Sequence, residues 1–192
     1  MERKSFGGMP CPIARTLERV GEWWSILILR DALQGLTRFD QFQKSLGIAP
    51  NMLTRRLNSL VDAGMLMRRR YNDHPPRDEY VLTDLGRDFR SVAVAMHAWG
   101  NKHFTPEGVS VALVDGDSGE EIDLALADSK TGKLLNLDEL VFAPGPQATA
   151  SVRERLQLAR ERQLAATATP PAAVAVAASA DASADVALAA EK

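Results

Sequence analysis

The amino-acid sequence predicts an α+β fold in which short helices come first, one hairpin follows, and a long helix comes after it. Apolar residues recur at helical spacing up to residue 63, the spacing becomes strand-like over 66–83, and it is helical again over 84–104. The formal net charge is −2, yet residues 1–104 carry 16 Lys+Arg against 11 Asp+Glu, while the remainder carries 7 against 14. This division indicates an anionic partner for the first half.

Four helices are expected before the hairpin, over residues 12–20, 22–35, 37–47 and 50–64. Pro12 and Pro50 suit the first turn of a helix, where no backbone N–H is needed. The second helix is apolar on most sides, which predicts a buried position with Gly35 as its C-cap. Thr37 is the expected N-cap of the third helix, whereas Ala49, before the fourth, offers no capping oxygen.

The stretch RRRYNDHPPRDEY, residues 68–80, places four arginines around two prolines. Residues 66–83 predict a strand, a turn and a second strand, with the turn at 72–76. Alternation along a strand means that these arginines cannot all point the same way. Residues 84–104 predict one long helix with an apolar stripe made of Leu85, Phe89, Val92, Met96 and Trp99.

A helix–turn–helix followed directly by a hairpin is the order of a winged helix-turn-helix domain. In the fourth helix, Leu53, Leu57, Leu60 and Val61 follow the spacing of a buried face. The side chains left outward or at the flank, and those of the hairpin, suit base edges and phosphates. The expected DNA-binding residues are Asn51, Thr54, Arg55, Arg56 and Asn58 on the helix, and Arg70, His74 and Arg77 on the hairpin. The alternatives are a solvated helix face and a solubilising edge hairpin.

These residues resemble the HxlR-type winged helix-turn-helix regulators of transcription, relatives of the MarR group. The resemblance covers residues 9–104 and rests on an ordered series: Cys-Pro, a Trp-containing second helix, RF..F, L..RL..L...G and Y.LT..G. It implies a homodimeric regulator that binds double-stranded operator DNA. It also implies dimerisation through the first and last helices of the domain. A sequence-specific repressor is the expected function.

The single cysteine, Cys11, stands at the expected N-cap of the first helix. The helix dipole there favours a thiolate, and Arg15, one turn on, could assist. The resemblance implies that a cysteine at this place is the sensor in relatives that respond to oxidants or electrophiles. The alternative is that Cys11 senses nothing in this protein.

A small repeat follows the winged-helix domain, since residues 112–123 (ALVDGDSGEEID) align with residues 125–136 (ALADSKTGKLLN). Each copy predicts a strand entering an Asp–Ser/Thr–Gly turn. The layout resembles the two knuckles of a zinc ribbon, but without cysteines zinc binding of that kind is excluded. A charged helix capped by Ser151 is expected after the repeat. The expected divisions are a flexible N-terminus (1–8), the winged-helix domain (9–104), a small β appendage (105–146), a linker and exposed helix (147–166), and an Ala-rich disordered tail (167–192).

Several classes of protein are disfavoured by what the sequence contains. We recognise no apolar run of membrane-spanning length and no signal peptide, so a cytoplasmic protein without membrane contact is expected. We find no nucleophile–base–acid set, phosphate loop or metal cluster, so neither an enzyme nor a bound cofactor or metal is expected. One rival function stays open, a winged helix for protein–protein contact without base-specific DNA binding. The sequence does not identify a small-molecule effector.

Overall fold

A computed structural model describes residues 5–168. The chain divides into two compact units, one up to residue 140 and one from residue 141. The first unit is the expected α+β winged helix-turn-helix fold. Its elements are α1 (Pro12–Val20), α2 (Trp23–Leu33), α3 (Phe39–Leu46), α4 (Pro50–Asp62), β1 (Leu66–Asp73), β2 (Pro76–Leu82), α5 (Asp84–Asp88) and α6 (Arg90–His103), followed by a 3-10 turn at Leu137–Glu139. The second unit contains α7 (Ala150–Ala168).

The hydrophobic core forms where α2 packs against α3 and α4, and the start of β1 joins it by packing on α4. Its fully buried apolar side chains are Ile28, Leu29, Phe42, Leu53, Leu57, Leu60 and Leu66. Each contributes about 1.5–3 kcal/mol by leaving water. The predictions of a buried second helix and of an inward leucine face on the fourth helix are confirmed.

The helix–turn–helix is formed by α3 and α4, and its details differ from the prediction at one cap. The N-cap of α3 is Arg38, so the expected N-cap Thr37 was wrong. Gln41 explains the shift, because its Oε1 accepts hydrogen bonds from the backbone N–H groups of both Thr37 (3.1 Å) and Arg38 (2.9 Å). Gly47 has a φ of 60°, a left-handed conformation that glycine adopts at little cost, and so ends α3 in a tight turn. Ala49 makes no side-chain cap at α4, as expected.

The hairpin is an antiparallel pair of strands that is tied firmly at its base. Its pairing shifts between Arg70 and Asn72, where the strand bulges. Tyr80 N donates to Thr37 O at 2.7 Å, which joins β2 to the start of the helix–turn–helix. Thr83 Oγ1 donates to Gly64 O at 2.6 Å and accepts from Gly86 N at 3.1 Å. The predicted strand, turn and strand over 66–83 are therefore confirmed.

The single helix expected over 84–104 is divided into α5 and α6, so that prediction was wrong in its continuity. The division falls at Phe89, whose ψ of −13° departs from the α-helical value of about −42°. Phe89 is buried in the core, whereas the other residues of the predicted stripe (Leu85, Val92, Met96 and Trp99) are exposed. The helix is thus interrupted at Phe89, the residue whose side chain packs in the core.

Residues 109–140, which we call the knuckle segment, contain the predicted repeat. The two copies have the same hydrogen bonds, 13 residues apart: Gly119 N donates to Asp115 O at 2.9 Å and Gly132 N to Asp128 O at 2.8 Å. The Asp–Ser/Thr–Gly turns are confirmed. The strands are shorter than expected, since each copy keeps one isolated bridge, Val114↔Glu121 and Ala127↔Leu134.

The second unit begins its helix earlier than predicted. Thr149 Oγ1 accepts from Val152 N at 3.4 Å, so Thr149 takes the capping role expected of Ser151, which lies inside α7. Apart from the last two residues of α7, the predicted tail 167–192 lies outside the described residues. The domain divisions stay predictions. Within residues 5–168, no helix is both long and apolar enough to cross a bilayer.

Candidate nucleic-acid interface

The outward face of α4 presents Asn51, Thr54 and Arg55, all exposed, while Leu53 and Leu57 are buried on the opposite side. Thr54 Oγ1 donates to Pro50 O at 2.9 Å, which leaves the hydroxyl oxygen able to accept. Asn51 and Arg55 lie one turn apart on this face. The three side chains can therefore meet base edges or phosphates together.

Asn58 lies at the junction of α4 and the hairpin. It is half-buried, and its Oδ1 accepts a hydrogen bond from Arg68 Nη2 on β1. The Arg68 guanidinium also lies 5.8 Å from the centre of the Tyr80 ring, within the range of a cation–π contact. Asn58 thus positions a hairpin arginine beside the helix.

Arg56 does not extend into solvent with its neighbours. Its side chain is 14% exposed, and its Nη2 lies 3.0 Å from Glu22 Oε2 at the start of α2. This ion pair ties α4 to α2. The geometry therefore supports a structural role for Arg56 rather than a DNA contact.

The hairpin arginines are divided between its two faces and are mostly paired. Arg69 Nε lies 2.8 Å from Glu79 Oε1, and Arg70 Nε lies 2.6 Å from Asp78 Oδ1. The Arg69 hydrogen bond, followed by one from Thr37, lowers the pKa of the Glu79 carboxyl below its ordinary value. Arg70 can contact DNA only by sharing its charge with Asp78.

The tip of the hairpin carries His74 and Arg77, both exposed. His74 N donates to Asn72 Oδ1 at 3.3 Å, and Arg77 lies opposite Asn72 in the strand register. In the described part of the chain, no carboxylate lies within ion-pair distance of Arg55 or Arg77. Their charges are available to an anionic partner.

Two further basic residues lie on this surface but were not predicted from the sequence to contact DNA. Arg38 lies at the N-cap of α3, and its guanidinium is 4.7 Å from the centre of the Tyr71 ring at the hairpin bulge. Arg68 was counted among the hairpin arginines but not among the DNA-binding residues. Arg38 lay in the first turn of the predicted third helix, which was a usable signal, because the first helix of this motif crosses the DNA backbone.

Cys11 lies apart from this surface, at the N-cap of α1, and is half-buried. Arg15, expected to assist it, instead donates from Nε to Met9 O at 3.0 Å. No cluster of three or more His, Cys, Asp or Glu side chains within residues 5–168 is arranged to hold a metal ion.

Comparisons with known proteins agree with this fold. The sequence model of the HxlR-like helix-turn-helix family matches residues 19–108. An uncharacterised HTH-type transcriptional regulator of Mycobacterium tuberculosis, Rv3095, is 38% identical over 135 residues, which are 70% of this chain and 85% of that protein. This chain belongs to the HxlR-like helix-turn-helix family. As an HxlR-like protein, it is a DNA-binding regulator of transcription.

Two solved structures extend the comparison beyond the HxlR-like match. PA1374 of Pseudomonas aeruginosa, described as a candidate transcription factor, is 54% identical and covers 76% of this chain and 99% of its own, with a TM-score of 0.57. PA1607, described in the same way, is 38% identical and covers 74% of this chain and 100% of its own, with a TM-score of 0.67. Both matches cover more of the chain than residues 19–108 do.

Proposed function

We propose that this HxlR-like protein is a homodimeric, sequence-specific repressor that reads operator DNA with α4 and grips the backbone with the hairpin. The observation that carries the proposal is the exposed polar face of Asn51, Thr54 and Arg55, next to a hairpin whose Arg68 is fixed against α4 by Asn58. Side chains of this kind in the first half of a recognition helix reach base edges in the major groove.

The remaining cations divide into stronger and weaker candidates for phosphate contact. Arg77 has no carboxylate within ion-pair distance among the described residues, so phosphate can meet its full charge. Arg38 has no such ion pair either, but its charge already acts on the Glu79 carboxyl, so it is a weaker candidate than Arg77. Arg70 is held by Asp78, so its contribution is smaller. His74 lies at the tip of the hairpin with Arg77, where it would contact the DNA backbone or the minor groove.

The DNA contacts are tested by selecting duplexes from a random pool and then measuring the affinity of variants for the selected operator. Arg55→Ala should weaken operator binding by about 1–3 kcal/mol and relax the preference at one base position. Arg77→Ala should weaken binding to every duplex and reduce the salt slope by about one unit. Arg70→Ala is the matched control, because removal of this paired arginine should weaken DNA binding less than removal of Arg77.

The rival function, protein–protein contact without base readout, makes the opposite forecast. Selection would then enrich no duplex sequence, and Arg55→Ala would change nothing at DNA. Either result would remove sequence-specific DNA binding through α4 from the proposal.

The homodimer is supported by the surface of α6. None of its residues is buried in the isolated chain, although it carries Val92, Met96 and Trp99 on one stripe. On α1, Ile13 and Leu17 are exposed as well. An apolar surface of this kind is costly on a free monomer and marks an interface. Two subunits would then present their α4 helices to half-sites about 34–36 Å apart.

The dimer is tested by placing a charge on this stripe. Met96→Glu should convert the protein from a dimer into a monomer in sedimentation experiments at micromolar concentration and should weaken binding to a two-half-site operator. Ser91→Glu is the control, because it adds the same charge to α6 on a different side. A wild-type protein that sediments as a monomer would contradict the homodimer.

Repression and a response through Cys11 complete the proposal. Cys11 is half-buried and lies at the N-cap of α1, the helix whose exposed Ile13 and Leu17 we assign to the dimer, so its modification would act at the interface. Addition of a quinone forms one S–C bond, and the thiol proton passes to the quinone. Diamide oxidises the Cys11 thiols of two subunits to one disulfide between them, and takes up the two electrons and two protons that the thiols lose.

The response is tested by operator binding and by transcription from a promoter that overlaps the operator, before and after each reagent. Wild-type protein should repress transcription and lose operator affinity on treatment, whereas Cys11→Ser should repress and keep its affinity. Equal losses in both proteins would show that Cys11 is not the sensor. Increased transcription on adding the untreated protein would make it an activator.

A further inference from the structure

The knuckle segment has a regular backbone but no core of its own. No residue from 109 to 140 is buried, yet its two turns have matching hydrogen bonds. Ile122 N donates to Leu113 O at 2.9 Å, and Leu135 N donates to Leu126 O at 2.8 Å. Two single-bridge hairpins without a buried face are not stable by themselves in water. Their stability therefore depends on a surface that covers them.

The segment exposes large apolar side chains, which are Val109, Val111, Val114, Ile122, Leu124, Leu126, Leu134, Leu137 and Leu140. Several follow a spacing of two, as in the run Ile122, Leu124 and Leu126. In extended chain, that spacing places side chains on one face. The apolar residues thus form a contact face rather than a scatter of single exposed groups.

This face begins near the end of α6. Asn101 Nδ2 donates to Val111 O at 2.9 Å, which holds the start of the knuckle segment against the last turn of α6. In that turn Trp99 and Phe104 are exposed, with their rings in edge contact at 4.8 Å between centroids. The knuckle segment therefore starts beside the end of α6, where large apolar side chains are exposed.

Charge indicates what covers the segment. Residues 109–140 contain eight Asp+Glu against two Lys+Arg, a difference of −6, whereas residues 1–104 have the difference of +5. Two knuckle segments would repel each other across an interface, and so would the segment and DNA. The winged-helix half of a second copy has the opposite sign and exposes Ile13, Arg15 and Arg19 on α1. Charge complementarity therefore favours the second copy.

We propose that the knuckle segment of each subunit docks on the winged-helix half of the second copy and so extends the α6 contact. The inference rests on the proposed homodimer, and it assigns to the repeat a role in assembly. Each segment gains a cover for its apolar face, and its acidic residues lie at the rim near basic ones. The dimer then has two linked contact regions for each subunit.

The first test uses the wild-type full-length chain and hydrogen exchange at protein concentrations about a hundredfold above and below the dimer dissociation constant. The amides of Ile122 and Leu135 should exchange at least about fivefold more slowly at the higher concentration, because dimerisation covers them. If these amides exchange at the same rate at both concentrations while α6 becomes protected, the docking is overturned and the dimer through α6 is retained. A monomer at every concentration would overturn both.

The second test changes one side chain of the face. Leu124→Glu should raise the dimer dissociation constant about tenfold or more, because a buried leucine contact is replaced by a charge. Ser129→Glu, which adds the same charge at a turn tip, should change it less than about twofold. If Leu124→Glu leaves the constant unchanged while Met96→Glu dissociates the dimer, the knuckle segment lies outside the interface. Equal effects of Leu124→Glu and Ser129→Glu would also overturn the docking.

Discussion

Residues 12–89 and residues 90–140 belong to the same compact unit but are stabilised in different ways. The first region encloses a core around Ile28, Phe42 and Leu57, all completely buried. The second has a well-formed helix and two matching turns, and none of its residues is buried. The comparison shows that a segment can have a regular, hydrogen-bonded backbone without a hydrophobic core of its own. One region is stabilised by its own buried side chains, whereas the other leaves its apolar side chains exposed.

The largest effect that tests this comparison is expected in the core. Leu57→Ala should lower the free energy of unfolding by about 2–5 kcal/mol, since it removes buried methyl groups and leaves a cavity. Leu124→Ala should cost less than about 1 kcal/mol when the chain is monomeric, because its side chain already meets water. Urea denaturation at low protein concentration gives both values. Comparable losses would show that the knuckle segment has a core after all.

Two glycines sharpen the same comparison. A Cβ at Gly86, at the base of the hairpin, would lie 2.1 Å from Met65 O and 2.9 Å from Leu82 Cδ2, so Gly86→Ala should cost about 1–3 kcal/mol or more. A Cβ at Gly100, in α6, would meet nothing within 4 Å. Gly100→Ala should therefore stabilise the monomer by about 0.5–1 kcal/mol through helix propensity.

Thermal unfolding of the two variants, at a concentration where the chain is monomeric, measures both changes. Opposite signs are expected. A destabilising Gly100→Ala in the monomer would mean that α6 packs against its own domain more closely than its exposure indicates. Loss of stability only in the dimer would instead place Gly100 at the subunit contact.

The sequence predicted what depends on local periodicity and missed what depends on tertiary partners. The leucine spacing of α4 and the repeated Asp–Ser/Thr–Gly turns are local patterns, and the structure reproduces both. The Arg56–Glu22 pair was not predictable, because nothing in the spacing along α4 shows that the start of α2 lies beside it. The division at Phe89 was missed for a similar reason. Helical periodicity continues through Phe89, and the sequence does not show that its side chain packs in the core.

The smallest expected effect concerns acid, and it separates the two regions by their response to pH. Asp115 Oδ1 accepts from Ser118 N (2.8 Å), Ser118 Oγ (3.0 Å) and Asp117 N (3.1 Å). These bonds, with Ser118 N the largest cause, lower the pKa of Asp115 below its ordinary value. Lys130 N and then the Thr131 hydroxyl lower the pKa of Asp128 in the same way.

A carboxyl whose pKa is lower in the folded chain binds protons more readily when unfolded, so protonation favours unfolding. The stability that these two turns gain is therefore present above the ordinary pKa of aspartate and is lost as the pH falls through the folded value. No buried residue supports the turns, so they should open before the core of residues 12–89 responds. The amides of Gly119 and Gly132, which close the turns, should lose their protection first.

Asp115→Asn provides an internal control for this prediction, because the amide keeps an acceptor oxygen but cannot titrate. Protection of the Gly119 amide should then become nearly independent of pH, while the Gly132 amide, in the unchanged copy, should remain acid-sensitive. Hydrogen exchange followed by NMR, from neutral pH down to a pH below the ordinary pKa of aspartate, measures both amides in one sample. If both turns still open at the same pH in Asp115→Asn, the carboxylate bonds are not what holds the first turn closed. The stability of the first turn would then come from other contacts, and acid would act on those contacts instead.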